Sequence, residues 1–468
     1  MAKKKEKSLH PFRENIEVVI FAIVMAMGLK VFAIEAYQIP TGSMQPTLMG
    51  TELLDPTSKR PNGSLNDRVL VDKISYFFRD PQRWDVVVCR YPLVAHNNYV
   101  KRLVGMPNEE LWIEGGNIFA RQLGSEDDFE VLVKPWNVMQ NIWKRVLPGV
   151  GDDPIQWHGW RTTGNAAVNA EGSIVFQGDG KTEYATSIRN GYLHGYPEEI
   201  YFSVPNVSSR SREVVGDLRL IFDLDGQDAA GSITLNLELG AHNINATFNS
   251  DGILKLNLPT GETRDIEISP QFNGEIDFAF WDHNLRISLN ENLVFNETLN
   301  LKPHKPRRNR MQFSVAGKNW ILGPVQVERD LHYLPPRQNA APVFEVTDGH
   351  YFMLGDNTQN SLDSRDWQLE SYSLDDGKGN QFQISGDHLQ HGSDPMFNNP
   401  RWNMSHDIMT FRDKFGNIHT LSENEVKRSA NILQHAPLVP RHYLLGRALA
   451  VFMPLKPLAA TNRFTMVQ

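Results

Sequence analysis

The stretch "WDVVVCRYPLVAHNNYVKRLVGMPNEELWIEGGNIFA", Trp84 to Ala120, decides the fold. "WDVVVCRYP" is an apolar, β-branched run closed by a proline, the pattern of a strand. "NYVKRLVGMPNEELWIEGGNIFA" predicts two strands joined by a turn at Pro107–Asn108. Side chains alternate across a strand, so Tyr99, Lys101 and Leu103 share one face, and Val100, Arg102 and Val104 the other. One face therefore carries an amine beside apolar groups. A free lysine has a pKa of about 10.4, and burial without a carboxylate partner lowers it by up to several units. Lys101 is thus either a candidate base or an ordinary solvated strand lysine.

Strand patterns recur on both sides. "DRVLVDKISY" precedes the stretch, and "GHYFMLGD" and "YLLGRALAVFMPL" follow far downstream. They read as one β-rich domain interrupted in sequence. The first interruption runs from about residue 121 to 342. Its early part, to 204, is rich in Trp, Gly and Asn and matches no pattern. Residues 205–334 hold short strands such as "DLRLIFDLD", "GSITLNLEL" and "ILKLNL", with turns at Asp251–Gly252 and Asn273–Gly274, the signature of a β-sandwich. The second interruption, 368–439, is polar and reads as long loops with little core of its own. At 468 residues the chain is too long for one core. A net charge of −8 argues against nucleic acid as a partner. Cys89 is the single cysteine, so no intramolecular disulfide forms; in its apolar strand it reads as a packing residue.

The N-terminus is basic, with Lys3, Lys4, Lys5, Lys7 and Arg13. "IEVVIFAIVMAMGLKVFAI", Ile16 to Ile34, follows. Its uncharged centre is short for a span of about 30 Å, but the flanks extend it, and Lys30 can snorkel. No Lys or Arg lies between Ala36 and Gly50. Charge asymmetry then places the N-terminus in the cytoplasm and the rest outside. A cleaved secretion signal and a soluble core helix are the other readings; Glu35 sits where a cleavage site wants a small residue.

Directly after comes "YQIPTGSMQPTL", Tyr37 to Leu48, which holds Ser43 in a turn between Pro40 and Pro46. A serine hydroxyl needs a base to become a nucleophile. The fifteen histidines form no triad motif. The His388-x-x-His391 pair has metal-binding spacing, but in a loop-like segment with no third ligand, so no metal is expected. Lysine is the other available base, which returns the argument to Lys101.

Together these segments resemble the type I signal peptidases, membrane-anchored Ser/Lys proteases that remove signal peptides from exported proteins. "IPTGSMQPTL" resembles the family's nucleophile box and "DRVLVDKISYFFRDPQRWDVVVCRYP" its second box. "YVKRLVGMPNE" resembles the lysine box, "GDNTQNSLDSRDW" (Gly355 to Trp367) the last box, and "LLGRALAVFMP" the closing strand. The resemblance implies Ser43 as nucleophile and Lys101 as general base, with the Ser43 N–H and the Thr41 hydroxyl as the oxyanion hole. It implies Ser361 as the residue orienting Lys101, and Arg102, Asp356, Asn357, Asp363, Ser364 and Arg365 as supports, Arg102 pairing with Asp356 behind the site. Gln38, Ile39, Pro40, Asp85, Val86, Val87 and Val88 would shape the substrate groove, which takes small residues of Ala-x-Ala type before the cut. Without the resemblance, Asp363 and Arg365 read as a surface ion pair. No cofactor is implied. The partners it implies are preprotein signal peptides and the lipid bilayer.

The middle insertion departs from that family. On "FAFWDHNLRISLNENLVFNETL" and "VQVERDLHYLPP" its later part resembles concanavalin-like or laminin-G-like jelly rolls. Such sandwiches bind carbohydrate or protein, or serve only as decoration. The expected fold is mainly β: a basic tail (1–15), a transmembrane helix (16–34) and a catalytic domain in pieces (36–120, 343–367, 440–468). The unassigned insertion (121–204), the sandwich (205–334) and the polar insertion (368–439) lie between. A membrane-tethered binding protein with a vestigial protease core is the competing reading; so is a self-cleaving Ser/Lys protease of repressor type, against which the anchor argues.

Overall fold

The computed structural model describes residues 11–28, 33–55, 57–58, 60–149, 157–191, 212–336, 343–375, 381–390, 398–403, 405–453 and 465–467. Lys3 to Lys7, residues 192–211, His391 and the Pro454–Leu455 end of the closing strand lie outside them.

The first helix spans Pro11–Gly28, not 16–34. Ile34 instead opens a strand, Ile34–Gln38, that pairs antiparallel with Arg68–Asp72. That ladder takes the backbone groups a longer helix would have used. Among the described residues, no helix is long and apolar enough to cross a membrane. The helix nevertheless exposes Ile16, Val18, Val19, Ile20, Phe21 and Ile23.

Ile34–Gln38 is the edge of the sheet that carries Lys101. The order continues through Arg68–Asp72, Leu444–Met453, Val86–Tyr91, Val94–Gly105 and His350–Leu354 to Leu438–Pro440. The closing strand thus inserts between strands far earlier in the chain. Alternation splits Val86–Tyr91 between two cores. Val86 and Val88 pack with Ile39, Met44 and Val69. Val87 and Cys89 pack with Leu103, Met353 and Trp367. The Trp84–Ala120 stretch forms more strands than the sequence pattern predicts: beyond the Pro107–Asn108 turn come both Glu109–Glu114 and Asn117–Gln122, paired with each other. Asn108 takes φ 65 in that turn, which asparagine tolerates.

The sandwich is larger than expected. Trp160–Val168 and Ile174–Tyr184 form a hairpin whose second strand pairs with Asn309–Lys318 and Trp320–Leu322. The boundary at 205 is therefore wrong: much of the "unassigned" insertion is sandwich, its long hairpin hidden because its exposed residues break the apolar alternation. The strands form one fourteen-stranded sheet. Its two halves close over a common core, where the Phe222 and Phe313 rings meet at 5.0 Å. Residues of Leu218–Asp225 alternate between buried and less buried positions, as one covered face requires.

A buried cluster ties the chain after Asn117–Gln122 to the sandwich. Lys134 sits 2.6 Å from Asp282 and 2.8 Å from Asp330. Asp282, Asp330 and Asp217 converge closely enough to hold a cation; the Lys134 ammonium already occupies that role. Burial works against the ammonium, but the carboxylates hold its pKa above the usual value.

The 368–439 insertion is not a set of loops. Gln368–Asp375 pairs on one side with Gln381–Asp387 and on the other with Ala430–His435. Ile408–Arg412 lies between Arg401–Asn403 and Ile418–Ser422. Tyr372, Leu374, Ile384, Met409, Phe411 and Leu421 form a core between the sheets. The core was hidden because each strand contributes only one or two apolar residues to it.

Candidate active site

Ser43 lies in a short 3-10 turn, Gly42–Met44, anchored by the buried Met44, Leu48 and Met49. The last loop of the site, 355–367, closes onto this turn. The Asn357 amide donates to the Ser43 carbonyl at 3.1 Å, and its side chain to the Gly42 carbonyl at 2.8 Å. Two glycines permit the contact. A Cβ on Gly355 would meet Ser361 Oγ at 2.0 Å and the Ser43 carbonyl at 2.5 Å; one on Gly50 would meet the Ile39 and Thr41 carbonyls. Both positions need the missing side chain for close approach, which composition alone does not reveal.

Lys101 is 2 % exposed. It pairs in register with Val87 and so projects toward the core of Cys89 and Leu103. Its Nζ donates to Ser361 Oγ at 3.3 Å. Burial pulls the amine from 10.5 down to about 8, with Asp363 pushing the other way. The carboxylates do not cancel the burial because each has a partner of its own. Arg365 holds Asp363 in a two-pronged pair at 2.8 and 2.7 Å, and the Gly355 amide donates to it at 2.9 Å. Burial raises the Asp363 pKa, but Arg365 brings it below the usual carboxylate range. This pair is buried on both sides, not a surface pair. Arg102 projects oppositely to Lys101 and grips Asp356 at 2.8 and 2.7 Å, both side chains 0 % exposed. Thr47, which sequence reasoning missed, also donates to Asp356, tying the nucleophile segment to the last loop. Ser364 accepts the Met353 amide at 2.9 Å.

Ser43 and Lys101 line one cleft of about 560 Å³, with Thr41, Ile39, Val88 and Tyr99 among its walls. Gln38 and Pro40 line it too. Asp85, Val86 and Val87 do not. The two valines lie in the cores beneath the sheet. Asp85 is held by Arg79, Arg447 and Tyr76 at 3.1–3.2 Å, a bracing role. His388 bonds Glu370 at 2.6 Å, away from any metal-binding set among the described residues.

A half-buried serine and a buried lysine of depressed pKa line one cleft, an arrangement in which a nucleophile and its base can be paired. The sequence profile described as "Signal peptidase, peptidase S26" matches residues 12–130 and 284–379. These residues form a unit similar to the signal peptidase S26 family. This unit is 32% identical over 123 residues to the probable signal peptidase I-2 of Synechocystis sp., which covers 25% of this chain and 49% of that protein. It is 30% identical over 136 residues to signal peptidase I of Leptolyngbya laminosa (27% and 59%). Against signal peptidase I of Pseudomonas fluorescens it is 33% identical over 142 residues (26% and 44%). The chain spans about half the length of these curated relatives. Among solved structures, the carbohydrate binding module CBM66 from Bacillus subtilis is similar over 36% of this chain and 95% of that one, at 14% identity and a TM-score of 0.24. That score is too low to bear on a ligand. The matched residues include Ser43, Lys101 and the 355–367 loop.

Proposed function

We propose that this protein is a membrane-anchored serine endopeptidase that removes N-terminal signal peptides from exported preproteins. The observation that carries the reading is the buried Lys101 amine, depressed to about 8, in the cleft that holds Ser43. The neutral amine takes the Ser43 proton as the hydroxyl attacks the scissile carbonyl, then returns it to the leaving amine. The Ser43 N–H and the Thr41 hydroxyl hold the oxyanion, such donors being worth about 3 kcal/mol each. Ser361 orients Lys101, and the Arg102–Asp356 and Arg365–Asp363 pairs brace the loop that carries it. The peptide lies along Gln38 to Pro40 and Val88, with small residues before the cut. A vestigial core is a poorer reading, since a disused buried lysine would be retained at a standing cost in stability. The experiment is incubation of the purified, detergent-solubilised protein with a preprotein, beside Ser43→Ala. Cleavage by the first and none by the second is expected; equal rates overturn the mechanism.

The anchor belongs to the same proposal. The Pro11–Gly28 helix exposes a run of apolar side chains from Val18 to Met25 and sits behind a basic N-terminus, which orients the chain with that end cytoplasmic and the catalytic domain across the inner membrane. A second apolar element lies beside its exit. Lys73 donates to the Ala33 carbonyl at 2.9 Å, and the short helix Ser75–Phe78 that follows exposes Phe77 at 81% and Phe78 at 85%. Both elements enter one bilayer. A fluorophore attached at Phe78→Cys, with Cys89 buried and unreactive, is expected to be quenched by spin-labelled lipid in vesicles. An unquenched fluorophore on the inserted full-length protein would remove the tip from the bilayer.

A further inference from the structure

The polar insertion reaches the cleft. Leu389 lines the same cavity as Ser43 and Lys101, beside Leu362 and Asn360 of the last loop. It lies beyond the residues 12–130 and 284–379 that match the signal peptidase profile. One wall of the cleft therefore comes from the part of a module that extends beyond the matched residues.

Leu389 is presented on a fixed backbone. Its N–H donates to the Asn399 carbonyl and its carbonyl accepts the Asn399 N–H, both at 2.8 Å. The Asn399 side chain donates to the Asp387 carbonyl at 2.7 Å and accepts the Arg412 amide at 2.7 Å. The His388 N–H donates to the Gln368 carbonyl at 2.8 Å, and its ring meets Glu370 at 2.6 Å. The Asp387 carboxylate fastens the module to the catalytic sheet by accepting the Tyr91 hydroxyl at 2.7 Å. The Tyr91 ring stacks on Tyr99 at 4.6 Å, and Tyr99 is a wall of the cleft two residues from Lys101. The module's own core of Tyr372, Met409 and Phe411 makes this a folded support.

We propose that the module built from residues 368–435 sets which side chains the cleavage groove accepts, with Leu389 as the contact that limits their size. This rests on the peptidase reading above. A branched apolar side chain on a backbone held at both polar groups is a fixed wall, and a fixed wall discriminates by size. A single methylene too many in an apolar pocket costs about 10- to 200-fold in kcat/KM. Leu389→Ala opens the wall, and Leu389→Phe closes it further.

The test compares full-length wild type, Leu389→Ala and Leu389→Phe on signal-sequence peptides. Each position flanking the cut carries Ala, Val, Leu or Phe in turn. At one position, Leu389→Ala is expected to raise the kcat/KM ratio of the larger side chains to Ala by on the order of tenfold or more. Leu389→Phe is expected to lower the same ratio. A purely structural role would change all peptides alike and leave every ratio where it was. Unchanged ratios at every position, with wild type active, overturn the proposal and leave the peptidase reading standing. A folded wild type that cleaves none of the peptides overturns both.

Discussion

Lys101→Met is expected to lose at least about 10³-fold in cleavage rate, because it removes the proposed general base from the cleft that holds Ser43. The same protein is expected to be more stable than wild type. The Lys101 amine is displaced from 10.5 in the unfolded chain to about 8 in the folded one. At about 1.4 kcal/mol for each step of one in pKa, that displacement costs the fold on the order of 3 kcal/mol. The sign follows from proton counting. Between pH 8 and 10.5 the unfolded chain holds a proton that the folded chain has released, so wild-type stability rises with pH across that window. Below pH 8 both hold it, and the cost is complete. The stability gap favouring Lys101→Met is therefore full below pH 8 and closes toward pH 10.5. Activity should follow the same group: wild-type kcat/KM is expected to rise with pH through an apparent pKa of about 8. Denaturant titrations of both proteins at several pH values, and the wild-type pH–rate profile, measure this. A Lys101→Met protein no more stable than wild type at neutral pH would mean the amine is hydrated and not poised.

Arg102→Ala carries the second large effect. It leaves the Asp356 carboxylate, 0 % exposed, with no guanidinium. Breaking one side of a buried ion pair costs about 3–5 kcal/mol, because the remaining charge is stranded. Asp356 opens the loop that carries Ser361, so cleavage is expected to fall as the loop loosens. Replacing both members by apolar residues, as in Arg102→Met with Asp356→Leu, is expected to recover part of the stability and little of the activity. Chemical unfolding and preprotein cleavage on the three proteins decide it. An Arg102→Ala protein as stable as wild type would show the pair to be dispensable.

Much of this protein is legible in its sequence. Strand alternation placed Lys101 and Arg102 on opposite faces, and the structure has them there, one toward Ser361 and the other on Asp356. The groove implied by the family resemblance did not include Val86 and Val87, which lie in the cores beneath the sheet. Alternation says that a side chain leaves one face of a sheet, not whether that face meets a groove or a core. It failed at 368–439, where sparse apolar residues from separate strands combine into one core. The 160–184 hairpin escaped notice for a related reason: its exposed positions mask the period that would have marked it.

Local chemistry along the chain was enough to determine that this is a mainly β protein with an apolar N-terminal helix, a serine in a proline-bounded turn and a lysine on a strand. These are short-range properties, set by period and turn residues. Only the tertiary structure decided that the lysine is dry, that the Asp363–Arg365 and Asp356–Arg102 pairs are both buried, and that Leu389 reaches the cleft. Solvation and partnership depend on residues hundreds of positions apart in the chain, and no local pattern records which of them fold together.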